Sequence, residues 1–219
     1  VSSHRRSRTA ALALAAGLAV AGCGGAAADE GTAAGHDHSG GAAVVEGPED
    51  RFAGIDLPDP YQRPSFTLTD GAGQPYDFRA ATAGRPTLLF FGYTNCPDIC
   101  PTTMADVAVA LRGVDPALAE QVQVVFVTTD PATDTPEVLG GYLDRFDADL
   151  PVPFTGLTGD QRAIDQAQLA AGVPLAEDQG RLHSSLLLLY GADDQAHVAF
   201  DAGNTSRDIA ADLTQVAGG

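Results

Sequence analysis

Two cysteines stand four positions apart, Cys96 and Cys100, in the stretch FGYTNCPDICPTTM (residues 91–104). Their chemistry is soft-metal ligation or thiol redox, because the thiolate is both the nucleophile and the ligand. Such a pair closes a very small loop and adds little constraint to the unfolded chain, so a structural staple is disfavoured. A secreted domain stapled by disulfides would carry more cysteines at wider spacing. Only three are present, the other being Cys23. Two thiolates held close favour Cu(I), with Zn(II) as the competitor.

The elements around the pair follow from hydrophobic patterning. Thr87–Tyr93 (TLLFFGY) is a continuous apolar run, as expected of a strand buried on both faces. Thr102–Arg112 carries Met104, Val107, Ala108 and Leu111 on one helical stripe. The cysteine turn therefore joins the C-terminal end of a buried strand to a helix N-terminus, the usual edge for sites in α/β sheets. Pro97 and Pro101 push the residues before them away from helical dihedrals, which places Pro101 first in the helix with Cys100 as its cap. The helix dipole and unpaired N–H groups there favour the thiolate.

Further along, Ser65–Thr69 and Pro75–Phe78 flank Asp70-Gly71-Ala72-Gly73 and read as a β-hairpin. Val122–Thr128 is a second buried strand. Thr135 before Pro136 opens a helix that runs to about Phe146, and another spans Asp160–Ala171. Ser185–Tyr190 (SLLLLY) is a third buried strand, paired with His197–Phe200 across Ala192-Asp193-Asp194. A last helix covers Ser206–Val216. This order of elements predicts an α/β fold, a thioredoxin-like sandwich with a central mixed sheet flanked by helices.

Ahead of the domain, Arg5, Arg6 and Arg8 precede an apolar run from Thr9 to Ala21, too short to span a bilayer comfortably. Val20-Ala21-Gly22-Cys23 resembles the lipobox of bacterial lipoproteins, which implies lipidation at Cys23. The expected organisation is a signal peptide over 1–22, a lipidated Cys23 with a flexible Gly/Ala-rich tether over 23–59, and a domain over 60–219. A random-coil tether of this kind reaches roughly 30 Å. It contains His36 and His38, which read as solvated or as a metal-capturing pair.

The chain has 12 basic residues, all Arg, against 29 acidic ones, for a net charge of −17; without the three leader arginines it falls to −20. Such a surface repels nucleic acid and anionic head groups, so neither is expected as a partner.

The cysteine stretch is similar to the signature of the Sco/SenC family, copper proteins of cytochrome c oxidase assembly. The resemblance continues through TTDPATDTPEVLGGYL (128–143), FTGLTG (154–159) and HSSLLLLY (183–190), in order. It implies copper as the cargo and Cys96, Cys100 and His183 as its ligands, with Asp130 of the Asp-Pro segment near the site. The partner it implies is the copper-centre subunit of the oxidase, met by a monomer lipid-anchored on the extracytoplasmic face of the cell membrane. Leu182 replaces the family's frequent Asp before the histidine, and Asn95 its frequent His before the first cysteine. A thiol–disulfide oxidoreductase using Cys96 and Cys100 stays open as an alternative. Asp98, between the cysteines, is expected to face solvent. Asp130 reads equally as a turn residue before Pro131, and His197 as a surface or edge residue.

Overall fold

The structure, a computed structural model, describes residues 51–176 and 184–218. Its strands are β1 (Ile55–Gln62), β2 (Thr67–Thr69), β3 (Pro75–Asp77), β4 (Thr87–Gly92), β5 (Gln123–Thr128), β6 (Thr155–Leu157), β7 (Leu187–Tyr190) and β8 (Gln195–Phe200). Its helices are α1 (Phe78–Thr82), α2 (Ile99–Gly113), α3 (Pro116–Ala119), α4 (Pro136–Asp147), α5 (Gln161–Ala170) and α6 (Ser206–Gly218). The apolar runs become the middle of a mixed sheet ordered β1-β8-β7-β4-β5-β6. β4 lies parallel to β5, from Thr87 opposite Gln123 to Gly92 opposite Thr128, and antiparallel to β7 on its other side. Every residue of β4 is buried.

Period-two alternation sends neighbouring side chains to opposite faces of the sheet. Leu88, Phe90 and Phe126 pack with residues of α2, α4 and α6, including Met104, Leu139 and Leu213. Leu89, Phe91, Val125 and Val127 pack on the other face with Phe78 of α1 and Ile164 and Ala167 of α5. The result is the expected sandwich. The expected hairpin forms as β2–β3, closed by Asp70, whose Oδ1 accepts from the N–H groups of Ala72 and Gln74.

Four elements lie outside the expected set: β1, α1, α3 and β6. β1 pairs antiparallel with β8 from Ile55, upstream of residue 60, where the globular pattern begins in the sequence. It is irregular, with a register shift between Asp56 and Tyr61. Its next residue, Arg63, is fully buried and ties the sheet together. The guanidinium donates to Asp194 Oδ1, Thr82 Oγ1, Thr87 Oγ1 and the carbonyls of Arg85 and Gly191, at 2.7–2.9 Å. Among the described residues no helix is long and apolar enough to cross a membrane.

The start of α2 departs from expectation. The helix begins at Ile99 with Asp98 as the preceding cap residue, so Cys100 is inside the first turn rather than capping it. Pro101 is tolerated as the third helical residue because the first N–H groups of a helix have no internal partner to lose. The first helical bond from this turn is Thr102 N–H to the Asp98 carbonyl, at 3.2 Å.

Candidate metal centre

The two thiols are brought together by that early helix start. Cys96 lies in the turn after β4, its N–H directed at the Tyr93 carbonyl 3.2 Å away. Cys100, one helical turn on, points its N–H at Cys96 Sγ, at 3.4 Å. Cys96 is half-buried, Cys100 is wholly buried in the α2 face of the core, and neither is in a disulfide. Gly92 makes room for the inner sulfur. A Cβ there would lie 2.8 Å from Cys100 Sγ and 2.7 Å from Phe90 Cε1, closer than side-chain carbons pack.

The sulfurs differ in acidity. Burial pushes the Cys96 thiol up, but hydrogen bonds from the backbone N–H groups of Cys100, Asp98 and Ile99, with a further one from the Cys100 side chain, bring it below its ordinary value. These are the unpaired N–H groups of the α2 N-terminus, which favour negative charge. Burial pushes the Cys100 thiol strongly up, and the neighbouring Cys96 sulfur adds to that rise. The pair thus presents one accessible sulfur inclined to ionise and one sequestered sulfur that resists ionising alone. A soft cation between them would favour both thiolates.

Asp130 lies in the loop two residues past the end of β5 and is half-buried. Its contribution is through the backbone: its N–H donates to Thr128 Oγ1, and its carbonyl accepts from Thr133 and Asp134. Its carboxylate has no hydrogen-bond partner among the described residues. Asp98 is exposed, as expected. His197 sits on the β7–β8 hairpin with its Nε2 2.8 Å from Asp193 Oδ2. His183, Cys23, His36 and His38 lie outside the described residues. Among the described residues no three His, Cys, Asp or Glu side chains cluster as a metal site.

Two residues next to the pair were not anticipated. Asp134, with no solvent exposure, accepts from Thr94 N–H (3.0 Å) and Thr128 Oγ1 (2.7 Å) on one oxygen and from Thr94 Oγ1 (2.5 Å) on the other. Tyr142 of α4 buries its hydroxyl with no hydrogen-bond partner among the described residues. It shares a core cluster with Cys100, and its phenol is held far above its ordinary range, first by burial and next by the charge of Cys100. In the sequence, Asp134 is one acid among several beside a turn, and Tyr142 is one aromatic on an amphipathic helix. Neither signals its depth.

A mixed sheet clasped by helices, with a dithiol at the exit of its central parallel strand, defines a thioredoxin-like protein with a thiol-based site. The SCO1/SenC family model matches residues 57–218, and the chain belongs to that family. It is 38% identical over 136 residues to a Stutzerimonas stutzeri protein, covering 59% of this chain and 64% of that one. The chain thus spans just under two thirds of that relative. Among solved structures it is similar to Bradyrhizobium japonicum ScoI with copper bound, at 32% identity and a TM-score of 0.59. That match covers 72% of this chain and 99% of ScoI. It is likewise similar to apo Sco1 from Thermus thermophilus, at 29% identity and a TM-score of 0.65, over 78% of this chain and all of that one.

Proposed function

We propose that this protein binds copper through Cys96, Cys100 and His183 and passes it on in the assembly of the binuclear copper centre of cytochrome c oxidase. The observation that carries this reading is the unbridged pair of cysteines at the α2 N-terminus, with Cys100 N–H against Cys96 Sγ. Two thiolates and a neutral imidazole form a soft three-ligand set suited to Cu(I). Copper bound in Bradyrhizobium japonicum ScoI supports the choice of cargo, and membership of the SCO1/SenC family supports the oxidase subunit as partner. Asp130 belongs to the surroundings of the site. The exposed edge of Cys96 gives an acceptor thiol a place to attack while Cys100 keeps its hold.

The domain works from the extracytoplasmic face of the cell membrane, as a monomer. Residues 1–22 act as the leader, acyl chains on Cys23 hold the protein, and the Gly/Ala-rich segment that follows serves as its tether. Two or more acyl chains make such anchoring stable. The test is Cu(I) uptake by the reduced protein: one equivalent held tightly supports the reading, and no uptake ends it.

The unequal acidity of the two thiols favours a second reading, a thiol–disulfide oxidoreductase. The Cys96 thiolate attacks a target disulfide and expels one target thiolate, and Cys100 then displaces the other. The pair ends as a disulfide, and the target gains the two electrons and two protons. A His183→Ala protein separates the readings, since it keeps thiol exchange and loses copper.

A further inference from the structure

We infer that Asp134 is the positioning residue of the cysteine turn, acting through Thr94, an inference that rests on the proposed role of Cys96 and Cys100 as a working pair. The carboxylate is fully buried and both its oxygens are used. Thr94 is gripped twice, by its backbone N–H and by its hydroxyl, while Thr128 at the end of β5 holds the carboxylate from the other side. The side chain therefore crosses from the β5–α4 loop to the β4–α2 loop. It fixes the chain two residues before Cys96.

The grip matters because the two sulfurs are held unequally. Cys100 is fixed by core packing against Gly92. Cys96 is half-exposed, and the turn bond to Tyr93 is long at 3.2 Å. The strand beyond Gly92 is continued by one ladder bond, Thr129 N–H to the Gly92 carbonyl. Past that point Asp134 anchors Thr94, in the segment leading to the outer sulfur. Without it, the half-buried Thr94 N–H and hydroxyl both lose their acceptor, and the turn is free to shift to find another. The spacing of the two sulfurs then becomes variable.

The role is geometric, and the isosteric amide tests that. In Asp134→Asn, Oδ1 still accepts from Thr94 N–H and Thr128 O–H, while the new NH₂ donates to Thr94 Oγ1. In Asp134→Ala all three bonds are lost. Two readouts on the full chain decide the matter, each compared with the thermal midpoint. One is Cu(I) affinity by competition with a chromophoric chelator. The other is the equilibrium constant for forming the Cys96–Cys100 disulfide in a glutathione buffer, which measures how closely the thiols are held and needs no metal.

Asp134→Ala is expected to lose at least about tenfold in Cu(I) affinity, as for removal of a group that orients a ligand, and several-fold in the disulfide constant. Asp134→Asn should stay within about threefold of wild type in both. A folded Asp134→Ala protein with wild-type values and only a lower midpoint would overturn the inference, leaving Asp134 a plain stabilising group. An Asn variant as impaired as the Ala variant would overturn it too, since charge rather than placement would then be at work. If the wild type takes up no Cu(I), the copper reading fails and the disulfide constants still decide the role of Asp134.

Discussion

Substituting Gly92 by Ala tests whether the strand end is shaped around the inner sulfur. The added methyl would sit 2.8 Å from Cys100 Sγ and 2.7 Å from Phe90 Cε1, with Phe126 Cε2 at 3.3 Å behind them. Relief requires a shift of about half an ångström or more, and Cys100 and Phe90 are both wholly enclosed. Overpacking of this kind costs about 1–3 kcal/mol. For a domain of this size each kcal/mol lowers the melting temperature by about 2–4 °C, so a fall of roughly 2–12 °C is expected. The displaced sulfur should also weaken Cu(I) binding about tenfold, because ligand placement matters at the half-ångström level. Gly71→Ala is the control, since a Cβ there meets open space. Thermal unfolding and chelator competition on both variants read the two effects. Wild-type stability and affinity in the Gly92→Ala protein would refute the reasoning.

Removing the buried cation by Arg63→Ala should destabilise the fold by about 3–5 kcal/mol, since five hydrogen bonds are lost and the acceptors on Thr82, Thr87 and Gly191 stay buried; urea unfolding measures it. Asp194, held at φ 61°, accepts from Gly84 N–H and Arg63, and these lower its pKa below the ordinary carboxylate value against the opposing pull of burial. A depressed folded-state pKa stabilises above the unfolded value and is lost as pH falls through the folded one. The urea midpoint should therefore drop below about pH 4, and Asp194→Asn, which tolerates the left-handed backbone, should flatten that acid limb. Tyr142→Phe removes a buried hydroxyl that has no partner among the described residues, so it should leave stability unchanged or raise it by up to about 1 kcal/mol. A loss above that in a denaturant titration would show that the hydroxyl is bonded in solution.

The central sheet was legible because β4, β5 and β7 are short apolar runs with no competing helical period, and α4 because Thr135-Pro136 is a strong start signal. Thr135 indeed caps it, accepting from Val138 N–H at 3.3 Å. β1 was hidden. Its sequence, IDLPDPYQ, holds two prolines, which belong only on sheet edges or at bulges, and the strand exists through its remote pairing with β8. α1, α3 and β6 are three to five residues long, too short for any period to show. At the site, the spacing of Cys96 and Cys100 and the Sco/SenC-like stretch around them marked the pair. The prolines misled about the helix start, because a first-turn proline costs no hydrogen bond and the buried Cys100 side chain holds its own backbone helical. The closeness of Gly92 and the grip of Asp134 arise between segments distant in sequence, where no local pattern records them.

The direct test of the whole account is a Cu(I) titration of the reduced full chain alongside Cys96→Ser, Cys100→Ser and His183→Ala. One tightly held equivalent in the wild type is predicted, abolished or sharply weakened in each variant, with glutathione exchange retained by His183→Ala. Failure of the wild type to hold Cu(I), or undiminished binding without the imidazole, would contradict it.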